Sequence, residues 1–264
     1  MHVRTNKKTI VVLMLSAIVY IGFITSRDTL GRFVWNKYLF AKGALYLNRH
    51  DARLFMHLGN YYFGGKEYDL KKSRYAYERA VKIDPKILFG HYQLARINFI
   101  QSNFFGAIEE INKELEANHG NLRSLYIRGL IYAYQGRFDK AEEDFKKFIL
   151  WAPKEWAGYN DLAWIQLKFK KYDDAKKTAA TGIKEVGGGD ENPWLWNSLG
   201  VAELNLKEFA NAEQSFKKAQ KYAENLTIQD WQKAYPGNHP ADALSGLTQF
   251  RDGIDKNLEK TYQK

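Results

Sequence analysis

The amino-acid sequence predicts an all-α protein: an α-solenoid of about five helical hairpins, a C-terminal capping helix and one transmembrane helix at the N-terminus. Three observations predict this fold. A small residue recurs at intervals of 34 to 37 residues, residues 9–25 form an uncharged apolar run, and apolar residues recur every three or four positions near the C-terminus. With 45% hydrophobic and 27% charged residues, the composition is typical of a folded chain.

The apolar run at residues 9–25 is predicted to be a transmembrane signal-anchor, preceded by a basic tail over residues 1–8. Seventeen residues are close to the shortest length that spans a membrane. A cleaved signal peptide is the alternative, but Ile24 and Ser26 make a poor cleavage site because cleavage requires small residues. The short tail is the denser in basic residues, so we expect the N-terminus in the cytoplasm and the repeats exported.

The excess of basic residues is concentrated around this run. Lys and Arg number 40 against 30 Asp and Glu, which gives a net charge of +10. Residues 1–50 contain eight basic residues and one acidic residue, whereas residues 51–264 contain 32 and 29. Basic chains often bind nucleic acid or anionic lipid. This distribution favours a membrane surface and makes nucleic-acid binding by the repeats the weaker alternative.

Residues 26–50 are predicted to form a membrane-proximal amphipathic helix that caps the first repeat. Because such a basic helix can also lie on the lipid surface, both arrangements remain open. The residues expected near the membrane are Arg27, Arg32, Trp35, Lys37, Tyr38 and Lys42.

The internal repeat combines a small residue with an aromatic residue nine positions later. The small residues are Gly59, Ala95, Gly129, Ala163 and Gly200, and the aromatic residues are Tyr68, Phe104, Phe138, Tyr172 and Phe209. Alanine follows three positions after the aromatic residue in the last four copies, and Ser73 takes this place in the first. The small residue allows two helices to approach closely, and a single hairpin cannot bury its apolar face without stacked neighbours.

These residues resemble the tetratricopeptide repeat family. The shared positions include Leu58-Gly59, Leu199-Gly200, Tyr62, Tyr132, Ala141, Phe145, Ala212, Phe216, Ala219, Pro85 and Pro153. Arg128 departs from the family pattern, because leucine is usual at that position, and the second and fourth copies end in His119 and Gly187. The resemblance implies a right-handed superhelix whose first helices form a concave, protein-binding face. A membrane-anchored member of the family is therefore predicted.

The predicted repeats cover residues 51–224, and a loop and a capping helix follow over residues 225–264. In the last helix one apolar stripe is formed by Leu244, Leu247, Phe250, Ile254 and Leu258, and Trp231 of the loop is expected to pack against it. A helix that binds a partner is the alternative to a cap. The five repeats are assigned to residues 51–85, 86–119, 120–153, 154–190 and 191–224.

Catalytic and metal-binding patterns are not found in the sequence. The six histidines are not paired at metal-binding spacing, and the chain has no Walker loop and no nucleophile elbow. Paired acids such as Asp173-Asp174 stand at the starts of second helices, where they complement the helix dipole. We therefore expect no enzyme activity, no metal and no cofactor.

The first helices carry aromatic residues, with a few Arg and Asn, on the face away from the close helix contact. Such a composition is typical of protein interfaces, although the same residues could pack between repeats. The candidate partner-binding residues are Met56, Asn60, Phe63, Phe89, Tyr92, Arg96, Phe99, Arg123, Tyr126, Leu130, Asn160, Trp164, Trp194 and Asn197.

The sequence thus predicts a non-enzymatic, membrane-tethered scaffold that presents this groove to a peptide or protein subunit during assembly of an envelope or secretion complex. A structural protein that associates with itself through its end helices is the alternative. The oligomeric state and the partner are not predicted.

Overall fold

The computed structural model describes residues 50–64, 68–234 and 242–263. Within these ranges the chain folds into twelve α-helices: α1 Ala52–Gly64, α2 Leu70–Ile83, α3 Gly90–Ile100, α4 Phe104–Ala117, α5 Leu122–Tyr134, α6 Phe138–Trp151, α7 Trp156–Lys168, α8 Tyr172–Glu185, α9 Pro193–Asn205, α10 Phe209–Glu224, α11 Ile228–Ala234 and α12 Ala243–Tyr262. A 3₁₀ turn, Gly189–Glu191, precedes α9.

The first ten helices pair in sequence order into five hairpins, numbered 1 to 5, each of which lies inside one of the repeat ranges predicted above. The anchor predicted at residues 9–25 and the membrane-proximal helix fall outside the described residues. Among the helices that the structure describes, none combines the length and apolar character needed to cross a membrane.

The chain divides into two compact units, residues 1–90 and 91–264. In the described part of the first unit, α1 and α2 pack through a buried cluster that includes Leu54, Phe55 and Leu58 from α1 and Ala76 and Ala80 from α2. Ser73, which the sequence places where later copies have alanine, is fully buried. Its hydroxyl donates to the carbonyl of Gly59, so a small polar residue serves at this crossing.

Each small residue of a first helix in hairpins 3 to 5 lies against a side chain of the second helix, and the sizes of the two residues are complementary. A Cβ atom added to Gly129 would lie 2.8 Å from the ring of Phe145, and one added to Gly200 would lie 2.7 Å from the ring of Phe216. In hairpin 4 the corresponding residues are Ala163 and Ala179, which share one buried cluster. Hairpins 3 and 5 therefore fill the crossing with a glycine and a ring, and hairpin 4 fills it with two smaller side chains.

The turns within hairpins 2 to 5 share one backbone geometry. Seven positions after the small residue, Ser102, Gly136, Lys170 and Lys207 all have positive φ, between 58° and 72°. A residue in this left-handed backbone conformation reverses the chain after the first helix. Glycine adopts the conformation without steric cost, but of these four positions only Gly136 is a glycine.

The C-terminal helix α12 packs against α10, as the sequence predicts. Ile254 is buried with Ala219 and Ala223, and the guanidinium of Arg251 donates to the carbonyls of Ala223 and Leu226 at the end of α10. These bonds tie α12 to the chain at the end of α10 and just beyond it.

Two details of the C-terminal prediction need correction. Leu244, which we assigned to the apolar stripe, is largely exposed. Part of the segment predicted as a loop forms the short helix α11, and its Trp231 packs 5.6 Å from the ring of Phe250, as expected.

Candidate functional site

A cavity of about 370 Å³ lies among the first helices of hairpins 2 to 5 and the helices α11 and α12. All the residues that line this cavity belong to the second unit. The volume is at the lower end of the range of about 300–1,000 Å³ typical of ligand pockets. The cavity is lined by Phe99, Leu130, Tyr134, Asn160, Asp161, Trp164, Trp194, Asn197, Ser198, Trp231 and Phe250.

Aromatic rings form most of the cavity wall. Tyr134 lies edge-on to Phe99 at 5.3 Å and 6.4 Å from Trp164, measured between ring centroids. Trp194 stacks on Phe250 at 5.5 Å. The contact between Trp194 and Phe250 joins the fifth hairpin to the C-terminal helix, so the wall depends on both.

A buried polar network lies at one side of these rings. The hydroxyl of Ser198 donates to Asn160 Oδ1 at 2.8 Å, and Asn160 Nδ2 donates to Asp161 Oδ1 at 3.1 Å. The hydroxyl of Tyr126 donates to Asp161 Oδ2 at 2.6 Å. Three hairpins, 3, 4 and 5, are thereby linked through two neighbouring residues of α7.

Two buried polar atoms of the wall have no hydrogen-bond partner among the described residues: Trp194 Nε1 and Asn197 Oδ1. A buried donor or acceptor without a partner costs free energy comparable to a lost hydrogen bond. Such atoms are candidates for hydrogen bonds to a ligand. They lie one helical turn apart on α9.

Asp161 is the charged residue among those lining the cavity, and it is buried. Partial desolvation, and then the charge of Asp161, raise the pKa of Tyr134 above that of an ordinary tyrosine. The cavity therefore combines aromatic surface with one negative group.

A second cavity of about 310 Å³ lies on α7, α8 and α9, and it shares Trp164, Asn197 and Ser198 with the first. The indole of Trp164 is thus a common wall. Lys168, which lines this second cavity, holds its Nζ 5.5 Å from the centroid of the Trp164 ring.

Six of the candidate residues line the first cavity, namely Phe99, Leu130, Asn160, Trp164, Trp194 and Asn197. Tyr126 lies behind the wall, because its ring is buried 5.1 Å from that of Phe148. Tyr92 is buried, and desolvation raises its pKa. Arg96 stands over the Tyr92 ring, and Arg123 is exposed. None of these last three lines the cavity.

The remaining described candidates belong to the first unit. Asn60 is exposed on α1, and its Oδ1 accepts a hydrogen bond from the hydroxyl of Tyr77. Met56 and Phe63 are half-buried on the same helix. We placed Phe89 on a first helix, but it lies in the turn before α3 with a φ of 68°. The membrane-proximal candidates fall outside the described residues.

Five lining residues are absent from the candidates predicted by sequence: Tyr134, Asp161, Ser198, Trp231 and Phe250. Tyr134 follows Leu130 by one helical turn, so the helical period could have identified it. Asp161 and Ser198 look like ordinary neighbours of predicted residues. Trp231 and Phe250 come from the C-terminal segment, which the repeat pattern does not place.

Groups of three or more residues able to hold a metal ion do not occur in the part of the chain that the structure describes. The short contact between His91 Nδ1 and Glu110 Oε2, at 2.7 Å, involves one histidine and one carboxylate. Burial opposes ionisation of Glu110, but the hydrogen bonds from His91 and Lys113 together lower its pKa.

Comparison with protein families identifies tetratricopeptide repeats over residues 123–155 and 160–225. These matches include hairpins 3, 4 and 5, from which most of the cavity wall comes. The small residue, the crossing and the turn recur in the same phase in hairpin 2.

Similar curated proteins match only part of their own length. The human peptidyl-prolyl cis-trans isomerase FKBP4 is 28% identical over 121 residues, which cover 46% of this chain and 26% of that protein. The lipoprotein NlpI homolog of Haemophilus influenzae is 28% identical over 163 residues, covering 59% of this chain and 49% of that protein. The chain therefore spans about a quarter of the first relative and about half of the second.

Solved structures share the fold at low sequence identity. PilW, described as a type IV pilus biogenesis factor, superposes with a TM-score of 0.59 at 18% identity, covering 80% of this chain and 94% of PilW. YrrB, described as having an unusual peptide-binding site, gives 0.56 at 14% identity, covering 70% of this chain and 93% of YrrB. At these identities the likeness concerns the fold alone.

Proposed function

We propose that this chain, a tetratricopeptide repeat protein, is a membrane-tethered scaffold without enzyme activity that holds a segment of a partner protein in the cavity between its first helices. The observation that carries the proposal is the cavity itself. It is lined by six aromatic rings and contains two buried polar atoms for which the described residues provide no partner. Aromatic anchors of this kind dominate the energetics of protein interfaces.

The shape of the cavity favours an extended segment over a folded domain. About 370 Å³ accommodates a few side chains, and the shared wall at Trp164 extends the site toward the second cavity. A segment lying across α5, α7 and α9 would contact three hairpins at once. The unpaired Trp194 Nε1 and Asn197 Oδ1 could then bond to the carbonyl and amide groups of its backbone.

The proposed membrane location of the scaffold is based on the N-terminal sequence, and its proposed role in assembly is based on analogy. Residues 9–25 and their basic flanks support a single-pass anchor with the repeats on the far side of the membrane. The relatives include a lipoprotein and a pilus biogenesis factor, which supports a role in assembling an envelope or secretion complex. That step is analogy at the level of the fold.

Site-specific photo-crosslinking in intact cells tests the proposal. A photoreactive phenylalanine analogue would replace Tyr134, which lines the cavity and is 62% exposed, or Trp151, which is 70% exposed and lines neither cavity. We expect a discrete crosslinked protein from position 134 and not from position 151. In the same cells, we expect protease added from outside to cleave the repeats once the outer layers of the envelope are permeabilised, because the repeats are proposed to lie outside the cytoplasm.

A matched variant tests whether the cavity is responsible. Trp164→Ala should abolish the crosslink at position 134 while the protein keeps its helical circular dichroism. Trp164 suits this test better than Tyr126, because Tyr126 is buried against Phe145 and Phe148 and its loss would weaken the hairpin itself. Undiminished crosslinking in the folded variant would contradict the proposal, and a crosslink to a second copy of the chain would favour self-association.

A further inference from the structure

One wall residue of the cavity belongs to an element that packs loosely. Trp231 lies on α11, a helix of seven residues of which none is fully buried. Most of its residues are exposed, and Trp231 itself is half-buried. Elements with few buried apolar contacts open at a low cost in free energy, so α11 is the part of the wall that moves most easily.

The place that Trp231 occupies fits a flat ring. On α12, Gly246 leaves bare backbone next to the indole, and a Cβ atom added there would lie 2.7 Å from Trp231 Nε1. The ring of Phe250 lies 5.6 Å from the indole and that of Trp194 lies 6.2 Å away, measured between centroids. Gly246, Phe250 and Trp194 therefore form an aromatic seat, which holds one aromatic side chain.

The hydrogen bonds at the start of α11 allow the helix to move as a unit. The hydroxyl and the amide of Thr227 donate to Asp230 Oδ2 at 2.6 and 2.9 Å, and the amide of Asp230 donates to the Thr227 hydroxyl at 3.2 Å. This capping box satisfies the first turn from within the helix. Just before it, Arg251 of α12 donates to the carbonyl of Leu226. Departure of Trp231 would thus leave the start of α11 folded, and the movement would begin after Leu226.

The closed arrangement leaves two polar atoms of the wall unsatisfied. Trp194 Nε1 and Asn197 Oδ1 are buried, and no described residue bonds to them. Because they are buried, a partner segment reaches them only after part of the wall moves. A buried donor or acceptor without a partner costs free energy, and the cost is removed when the atom bonds to water or to the segment. The unpaired atoms therefore favour an open state, whereas the ring contacts of Trp231 favour the closed state.

We propose that Trp231 is a displaceable occupant of the cavity, and that the partner segment inserts an aromatic side chain in the place that Trp231 leaves. The inference rests on the proposed function and adds the chemistry of the bound residue and the regulation of the site. An aromatic ring of the partner gains the contacts with Gly246, Phe250 and Trp194 that Trp231 gives up. Trp231 thereby lowers the affinity of the site, because only molecules with an open seat bind the segment.

Trp231→Ala tests the inference, because it leaves the aromatic seat empty. N-acetyl-tryptophan amide would be titrated into the full-length chain labelled with ¹⁵N-tryptophan, and the indole signal of Trp194 would be followed by NMR after assignment with Trp194→Phe. We expect half-saturation of Trp231→Ala at a concentration about tenfold lower than that of the wild type, as for a seat that is open in about a tenth of wild-type molecules. N-acetyl-leucine amide, which is apolar but not flat, should gain less than about twofold.

Two glycines of α12 show whether the gain comes from the aromatic seat. A methyl group at position 246 lies where the ring packs, whereas one at position 253 has no atom within 4 Å. In the Trp231→Ala background, Gly246→Ala should abolish the gain and Gly253→Ala should keep it. Both substitutions favour the helix to a similar degree, so α12 stays folded in both. A gain that survives Gly246→Ala, or weaker binding by Trp231→Ala than by the wild type, would overturn the inference.

The otherwise unchanged chain also decides the matter if Trp231→Ala does not fold. Saturation of the wild type with N-acetyl-tryptophan amide should move the Trp231 indole signal to the position that it has in Gly246→Ala, in which the added methyl group displaces the ring. A Trp231 signal that stays in place, or absence of binding, would contradict displacement.

Photo-crosslinking at position 134 separates this inference from the proposed function. The crosslink reports binding of the partner in cells, whichever ring lies in the aromatic seat. An intact crosslink together with an unmoved Trp231 signal would remove the displaceable occupant and leave the scaffold. Absence of the crosslink in wild-type cells would remove the scaffold itself.

Discussion

Hairpins 3 and 5 use the same crossing but treat a buried carboxylate differently. In each, a glycine of the first helix lies against a fully buried phenylalanine, Gly129 on Phe145 and Gly200 on Phe216. Hairpin 3 adds Arg128 and Asp144 immediately before these residues, whereas hairpin 5 has Leu199 and Ser215 at the same places.

The buried carboxylates of the two hairpins, Asp144 in hairpin 3 and Glu203 in hairpin 5, therefore have different environments. The guanidinium of Arg128 donates two bonds of 2.8 Å to Asp144, which is 2% exposed, and this contact raises the pKa of Arg128. Glu203 in hairpin 5 accepts from the hydroxyl of Ser215 at 2.7 Å, and desolvation raises its pKa. One repeat geometry therefore holds either a fixed ion pair or an acid that resists ionisation, depending on two neighbouring residues.

The largest effect is expected from breaking the ion pair of hairpin 3. Arg128→Leu, which restores the residue usual for the family, would leave Asp144 buried without its cation and lower the free energy of unfolding by about 3 kcal/mol. Urea denaturation followed by circular dichroism measures this. Arg128→Leu/Asp144→Ser copies hairpin 5 and should recover most of the loss.

An exposed ion pair of the same hairpin provides the control. Lys147 bonds to Glu143 with both side chains more than half exposed. Lys147→Ala should change the free energy of unfolding by less than about 1 kcal/mol. Equal losses from Arg128→Leu and Lys147→Ala would show that burial of Asp144 does not matter.

A smaller effect is expected at the crossing that the two hairpins share. Gly200→Ala would place a methyl group 2.7 Å from the ring of Phe216, which is fully buried. We expect a loss of about 2 kcal/mol in urea denaturation. Gly129→Ala should give a similar loss, and unequal losses would indicate that the two crossings are not equivalent.

A glycine with no neighbouring side chain separates the effect of packing from the effect of helix propensity. Gly253 lies within α12, and an added Cβ would have no atom within 4 Å. Gly253→Ala should therefore raise the free energy of unfolding by about 0.5–1 kcal/mol. A loss at Gly253 comparable to that at Gly200 would contradict the packing argument.

The smallest effect concerns the pH dependence caused by Glu203. Because its pKa is raised on folding, the stability that Glu203 contributes is full below the ordinary pKa of 4.5 and is lost as the pH rises through the raised value. Glu203→Gln lacks this loss. The variant should be more stable than the wild type at neutral pH, by about 1 kcal/mol or less, and the difference should shrink toward pH 4.

Glu208, whose pKa is lowered on folding, provides the control for this pH dependence. The bonds from Lys176 and Asn211 lower the pKa of Glu208, so its contribution is present above pH 4.5 and is lost as the pH falls. In thermal denaturation across about pH 2 to 8, Glu208→Gln should thus change the slope below pH 4.5, in the direction opposite to the change that Glu203→Gln causes above it. Parallel profiles for the two variants would refute the assignment of Glu203.

The helical repeat and its phase were predictable because they depend on short-range patterns. The small residue, the aromatic residue nine positions later and the polar turn recur in each copy, and each acts between helices adjacent in sequence. The departure at Arg128 was visible as well, but its reason was not. Asp144 lies 16 positions further along, and only the packed hairpin shows that the two side chains meet.

The cavity was predictable only in part. Trp164, Trp194 and Asn197 were identified by their face on the first helices, and the structure brings them together with three other candidates. Trp231 and Phe250 were not identified, because the repeat period ends before α11. Tyr126 was placed on the correct helix, but its hydroxyl serves Asp161 and its ring serves the hairpin core.

By itself, the sequence determined the all-α repeat, the positions of the five crossings and the concentration of basic residues before residue 51, since each is a local pattern of size, polarity or charge. The tertiary structure alone decided which aromatic residues pack into cores and which line the cavity, and which buried acids have a cation nearby. Those outcomes depend on distances between residues tens of positions apart, and such distances arise only when the hairpins pack against one another.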